Sequence, residues 1–194
     1  LADDHSSEPH VRPLLERYAQ QDSRIKVVFR PENGHISRAT NSALEEASGE
    51  FVGLLDNDDE LAPQALFEVV KTLNEHPDTD LIYSDEDKED EEGNRFDPHF
   101  KPNYSPDLLM STNYISHFGV YRKSIVDEIG GFRVGYEGSQ DYDLVLRFVE
   151  KTTPDHIQHI AKVLYHWRTL ATSTASSAVP RATHPTLVCA HCSR

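Results

Sequence analysis

Apolar residues along this chain gather in short unbroken runs that alternate with stretches of helical spacing. Residues 13–20 (PLLERYAQ) predict a helix and residues 25–29 (IKVVF) a buried strand. Residues 36–47 keep helical spacing up to Gly49, a residue suited to a left-handed cap. The run 51–55 (FVGLL) shows no polar alternation, so it reads as a strand covered on both faces, as in a parallel sheet. Pro63 then opens a helix reaching residue 75, because its missing N–H costs nothing in a first turn, and 80–84 (DLIYS) is a further strand. Alternation at these lengths implies right-handed βαβ crossovers, hence an α/β fold with a mostly parallel central sheet flanked by helices.

The character changes after residue 84. Residues 85–94 (DEDKEDEEGN) read as an acidic, glycine-containing loop, followed by the proline-punctuated FDPHFKPNYSPDLL. Residues 117–121 (HFGVY) suit a strand, 140–151 an amphipathic helix, and 157–165 a last strand. There is no internal repeat. The tail 171–194 is low in charge and lacks a sustained period, which predicts an extended or disordered segment after a domain covering 1–170. Leu1-Ala2-Asp3-Asp4 resembles the end of a strand, so an earlier strand is expected upstream and the sheet is expected to lack its first strand here. An edge left open in that way invites pairing with a second copy, a homodimer.

Charge narrows the partners. Nineteen basic against 33 acidic residues give a net −14, which argues against a nucleic-acid or anionic-membrane surface. A nucleotide is still welcome through a metal and local backbone donors. No apolar run approaches a membrane span, and no charged-then-apolar leader precedes the domain. Both cysteines fall within the last six residues, so no disulfide framework holds the core and a reducing cytoplasm is the natural setting.

The chemistry concentrates at element ends. Asp56-Asn57-Asp58-Asp59 sits where the 51–55 strand ends, and open α/β sheets bind ligands at the carboxyl ends of strands. Like charges packed there are costly unless a cation or a hydrogen-bonded ligand compensates, whereas a solvated acidic turn is the plain alternative. In Gly138-Ser139-Gln140-Asp141-Tyr142-Asp143 a carboxylate at a helix start is held ionised by free N–H groups. Either Asp141 or Asp143 could simply cap that helix. Tyr165-His166-Trp167-Arg168 combines an imidazole for a metal with a cation for phosphate. Asn33-Gly34-His35, with Arg38 and Asn41 behind it, resembles a tight turn entering a helix that projects Arg38 near the strand ends. Cys189-Ala190-His191-Cys192 has metal spacing but no second pair, and counting from Asp56 or Asp85 excludes an EF-hand.

These motifs together carry a resemblance. ENGHISRATNSALEEASGEFVGLLDNDDEL resembles the nucleotide-sugar half of family 2 inverting glycosyltransferases, whose fold is the Rossmann-like GT-A fold. SDEDK, FKPNYSPDLL, GGF with GYEGSQDYDLVLR, and VLYHWR then resemble the bacterial branch that builds cell-surface polysaccharides. The likeness runs from about residue 1 to 168 in the family's motif order. It implies a nucleotide-sugar half over 1–84 and an acceptor half over 85–170. By position it implies base contact from Asp3 and Asp4, nucleotide contact from Arg38, and ribose and metal contact from Asp56 and Asp58. Asp141 matches the acid that deprotonates the acceptor, and His166 lies where metal or diphosphate is met, with Arg168 beside it. The usual Glu-Asp pair is Gln140-Asp141 here.

The activity implied is Mn²⁺- or Mg²⁺-assisted, inverting transfer of a sugar from a nucleoside-diphosphate donor to a saccharide or lipid-linked saccharide acceptor. The implied setting is the cytoplasm, at the inner face of the membrane in the whole protein. Two other readings stay open at this stage. One is an inactive nucleotide-sugar-binding module, and the other a metal-dependent hydrolase using two carboxylates.

Overall fold

The computed structural model describes residues 1–169. Strand β1 (Ala2–Asp3), helix α1 (Val11–Gln21), strand β2 (Val28–Phe29) and helix α2 (His35–Glu46) come first. Strand β3 (Phe51–Gly53), strand β4 (Glu60–Leu61) and helix α3 (Ala65–Glu75) follow. Strand β5 (Leu81–Glu89), strand β6 (Arg95–His99), helix α4 (Pro106–Ser111), strand β7 (Val120–Arg122) and helix α5 (Lys123–Glu128) lead to helix α6 (Gln140–Val149) and strand β8 (Ile157–Arg168). The tail 171–194, with its cysteine pair, lies outside the described residues.

The main sheet has six strands in the order β3-β7-β5-β8-β4, with β6 also paired to β5. It is mixed, which corrects the mostly parallel expectation. β5 and β8 run parallel, whereas β3–β7, β5–β7, β5–β6 and β4–β8 are antiparallel. Short antiparallel partners can be added by any chain reversal, so the βαβ alternation of the first half did not determine their direction. β1 and β2 pair parallel in a small sheet of their own.

The centre is the β5–β8 pair, which runs from Leu81 opposite Ile157 to Glu89 opposite Arg168, with the register shifting on either side of Asp85. Seven successive β5 residues from Leu81 are buried. Alternate side chains feed opposite faces. Leu81 and Tyr83 join one core with Tyr121, Leu144, Val145 and Phe148, while Ile82 joins the other with Ala65, Val69, Ile160 and Leu164. Thus α6 covers one face and α3 the other.

Several boundaries move for local reasons. The acidic segment read as a loop from residue 85 is strand as far as Glu89, because its carboxylates find buried partners, and the turn begins only at Asp90. There Asp90 Oδ1 accepts the Asn94 N–H at 2.8 Å and Gly93 takes φ +81°. Helix α2 ends at Ala47 in extended conformation, so Gly49 is not its left-handed cap. Pro63 precedes α3 by a turn instead of opening it. Residues 25–27 and 117–119 stay outside their strands. The 51–55 run is strand only over Phe51–Gly53, and Leu55 is 52% exposed instead of covered on both faces. No helix among the described residues is long and apolar enough to cross a membrane.

The Asn41 side chain ties the early helix to the later half. Its amide donates to Phe132 O at 2.8 Å and its Oδ1 accepts the Phe132 N–H at 2.8 Å, so one side chain pairs like a strand backbone.

The fully buried Phe148 ring, edge-on to Tyr121 with centroids 5.2 Å apart, should hold much of the α6 face. Phe148→Ala should cost about 3–5 kcal/mol in urea unfolding, through lost burial and the cavity left behind. Leu66→Ser, on the exposed face of α3, should stay within about 0.5 kcal/mol of the parent.

Candidate active site

The loop between β3 and β4 holds the acidic motif against the end of β8. Tyr165 donates its hydroxyl to the Asp59 carboxylate and accepts the Asp56 N–H at 3.4 Å. The Arg168 N–H donates to Asp59 Oδ1 at 2.9 Å. Burial pushes the Asp59 carboxyl up, against the hydrogen bonds from Tyr165 and Arg168 that pull it down. Asp59 is thereby a tether, and it fixes a loop that carries half-buried Asp58 and exposed Asp56. Directly after the loop, Glu60 pairs opposite His166.

Helix α6 supplies the second acid. Gly138 takes φ +92°, where a side chain is strained, and its N–H donates to Gln140 Oε1 at 2.7 Å. Neither Asp141 nor Asp143 caps the helix, since the N-cap Ser139 receives no side-chain bond and the two acids are occupied elsewhere. Asp143 is buried between Arg133 and Arg147, accepting their Nε–H groups at 3.0 and 2.9 Å. Asp141 Oδ2 instead accepts the Asn113 amide at 2.9 Å. One cleft is lined by Asp56, Asp141, Gln140, His117, Leu54 and Leu55. The acid after the strand and the acid at the helix start, far apart in sequence, meet there.

The buried half of β5 supports the cleft from behind. Glu86 Oε2 lies 2.8 Å from the Lys101 ammonium, whose side chain is wholly buried, and accepts the His117 N–H at 3.2 Å. The same ammonium donates to Ile115 O at 2.6 Å, pinning the turn in which Ser116 and Phe118 both take positive φ. His117 Nδ1 sits 3.3 Å from Glu86, and its ring stacks on Tyr165 with centroids 5.0 Å apart. Burial alone would raise the Glu86 carboxyl, but hydrogen bonds from His117 and His99 and the charge of Lys101 hold it far below the carboxylate range. Burial likewise opposes a charged His117, yet Glu86 lifts the imidazole above its ordinary 6.5.

A comparison with known families places this geometry. Residues 1–130 match the family described as Glycosyl transferase family 2. The chain belongs to glycosyl transferase family 2. It is 53% identical over 177 residues to the Sinorhizobium fredii protein y4gI, covering 91% of this chain and 20% of that one. It is 42% identical over 176 residues to the O-antigen biosynthesis protein RfbC of Myxococcus xanthus, covering 91% of this chain and 14% of that one. The chain therefore spans a fifth or less of the length of these relatives. Among solved structures, S. aureus TarS 1–349 in complex with UDP-GlcNAc superposes with a TM-score of 0.71 at 20% identity, over 92% of this chain and 51% of that one. That likeness bears out the GT-A fold.

Within this glycosyltransferase fold the expected site residues fall into two groups. Asp56 and Asp141 share the cleft. Arg38 is exposed on α2, whose Ile36 and Thr40 reach the cleft wall. His166 lies on β8 behind the acidic loop, 1% exposed, with Nδ1 2.6 Å from Asp87 Oδ1. Its Nε2 is buried and has no protein partner among the described residues. An imidazole held at one nitrogen and bare at the other fits a divalent cation. Arg168 is half-exposed, with Nε 3.8 Å from Glu60.

The first acidic pair stands apart. Asp4 is bound by Arg30 Nε at 2.8 Å and by the Gly34 N–H at 2.9 Å. A Cβ at Gly34 would come within 2.9 Å of Arg38 Cβ, so a side chain there would push the start of α2 away from the turn that closes on Asp4. Asp3 binds Ser6 and lines a separate depression beside Arg12 and Arg30.

Asp56, Asp59 and His117 bring one ligand atom each within 4.8 Å of one another, a group that includes neither Asp58 nor His166. His117, Glu86 and Lys101 went unremarked as site residues in the sequence. The one available signal was a single lysine within the aromatic and proline-rich FDPHFKPNYSPDLL.

Because the folded His117 titrates above 6.5, its stabilisation is complete below that pH and is lost as pH rises through the folded value. The melting-temperature advantage of the parent over His117→Gln should therefore be full at about pH 6 and shrink as the pH is taken upward through the alkaline range over which the protein stays folded. A difference that is flat across this range would rule out the charged Glu86–His117 pair.

Proposed function

We propose that the chain is the catalytic unit of an inverting glycosyltransferase. It moves a sugar from a nucleoside-diphosphate donor to a saccharide or lipid-linked saccharide acceptor in polysaccharide synthesis. The observation that carries this reading is the meeting of Asp56 and Asp141 in one cleft. Asp56 is of the acidic loop that receives the donor, and Asp141 is in reach of an acceptor placed opposite. An isolated carboxylate facing a donor-binding acid loop suits attack by a hydroxyl from the far side of the sugar, which inverts the anomeric centre.

In this reading Asp141 accepts the proton of the attacking hydroxyl. Asn113 holds its carboxylate by the 2.9 Å bond to Oδ2, which fixes the orientation without supplying a competing charge. Arg38 and Arg168 meet the diphosphate, and Asp3 and Asp4 lie on the base side. Asp58, Asp56 and the bare Nε2 of His166 would hold a divalent cation, Mn²⁺ or Mg²⁺. Such an ion neutralises charge gathering on the departing diphosphate. TarS, bound to UDP-GlcNAc in its solved structure, supports a uridine diphosphate as the first probe.

Mn²⁺ and uridine diphosphate together should raise the melting temperature by more than the sum of their separate effects, because the acidic loop must be neutralised before a diphosphate is admitted. Asp58→Asn should remove that synergy. Asp141→Asn should leave the synergy intact and cut sugar transfer by roughly a hundredfold or more. Additive shifts in the parent would overturn the cation assignment, and transfer preserved in Asp141→Asn would overturn the base.

A further inference from the structure

We propose that Asp87 is a positioning residue of the donor site. It holds the His166 imidazole with the proton on Nδ1, so that Nε2 offers a lone pair to a divalent cation. This deepens the cation reading given above and rests on it. The observation is a juxtaposition in the central strand pair. Asp87 and His166 are register partners of β5 and β8, and their Oδ1 and Nδ1 atoms lie 2.6 Å apart in a buried setting.

A neutral imidazole has one donor and one acceptor nitrogen. A carboxylate oxygen can only accept from it, so a contact of this length places a proton on Nδ1, and in the neutral ring Nε2 is then the acceptor. That acceptor is buried with no protein partner among the described residues. Leaving a buried acceptor unsatisfied costs about 1–3 kcal/mol, a cost that native proteins keep mainly where a ligand arrives.

The strand that carries this atom is tethered on both sides of it. Tyr165 and Arg168 both bind Asp59, and Glu60 pairs opposite His166, so the acidic loop is fastened to the stretch of β8 that carries the bare nitrogen. An exposed histidine would lose its orientation to rotation and to water. Here Asp87 removes both freedoms, because the ring is held at one end inside a closed sheet.

The neighbouring acids of β5 do not compete for the task. Asp85 Oδ1 binds His159 Nε2 at 2.8 Å, and Glu86 serves Lys101 and His117. Each of three consecutive carboxylates has its own basic partner. Two ring nitrogens among these partners are buried without a hydrogen bond among the described residues: His117 Nδ1, which still faces Glu86 at 3.3 Å, and His166 Nε2, which faces away from the nitrogen that Asp87 holds.

The test begins with the parent chain and needs no substitution. Long-range ¹H–¹⁵N correlation of labelled histidines without metal should show His166 as the neutral Nδ1–H tautomer, and either an Nε2–H tautomer or a ring protonated at both nitrogens would overturn the proposal. Mn²⁺ affinity in the presence of uridine diphosphate, followed by thermal shift, should then fall about tenfold to a hundredfold in Asp87→Asn and recover in large part in Asp87→Glu. If Asp87→Asn binds Mn²⁺ as the parent does while His166→Gln and Asp58→Asn lose it, the positioning role fails and the cation site stands. If His166→Gln also binds as the parent does, the cation assignment to His166 fails.

Discussion

Three carboxylates in a row, Asp85, Glu86 and Asp87, lie inside the central strand of the sheet, and the cleft depends on how their charge is matched. A buried carboxylate without a partner costs several kcal/mol. Each of these has a basic group brought from another part of the chain: His159 and His166 on β8, Lys101 from the segment after β6, and His117 from the turn before β7. Neighbouring side chains on a strand point to opposite faces, so the matching groups must approach from different sides. The strand therefore gathers three distant segments around itself and orders them.

That ordering reaches the chemistry through short paths. Lys101 is tied to Glu86 and to the Ile115 carbonyl, which fixes the turn presenting His117 to the cleft. Tyr165, stacked on His117, holds Asp59 and so the loop of Asp56 and Asp58. Asn113, a few residues before the same turn, steadies Asp141. The acids of the loop and of the helix start are thus set by one continuous polar scaffold, and their separation is not left to loop flexibility. Preorganisation of this kind is what electrostatic catalysis requires.

Period and punctuation made the helices legible: α2, α3 and α6 stand within a few residues of where their spacing put them. The family and its fold were also readable, because the acidic loop, the helix-start acid and the HWR ending kept their order. What could not be read was anything that depends on a partner elsewhere in the chain. DEDKE looks solvated until Lys101, His117, His159 and His166 are known to converge on it. Sheet direction failed for the same reason, since β7 joins β3 to β5 through pairings no local pattern announces. The meeting of Asp56 with Asp141 was foreshadowed by their places at element ends, whereas His117 looked like the start of an ordinary strand.

The parallel pairing of β5 with β8 also sets a timetable for synthesis. Asp87 and His166 are separated by 79 positions, so β5 leaves the ribosome long before its partner exists. At ordinary elongation speeds that interval lasts several seconds. During it the nascent chain carries an apolar and acidic strand with one side unclaimed, and parallel partners are slow to dock because the intervening loop must first be closed. The antiparallel β6 can pair early and cover the acidic half, as a hairpin forms within microseconds once made. β6 is exposed and contributes little to the finished core. What β6 offers is early cover for the acidic half of β5, before β8 exists, together with His99 beside Glu86 in the finished sheet.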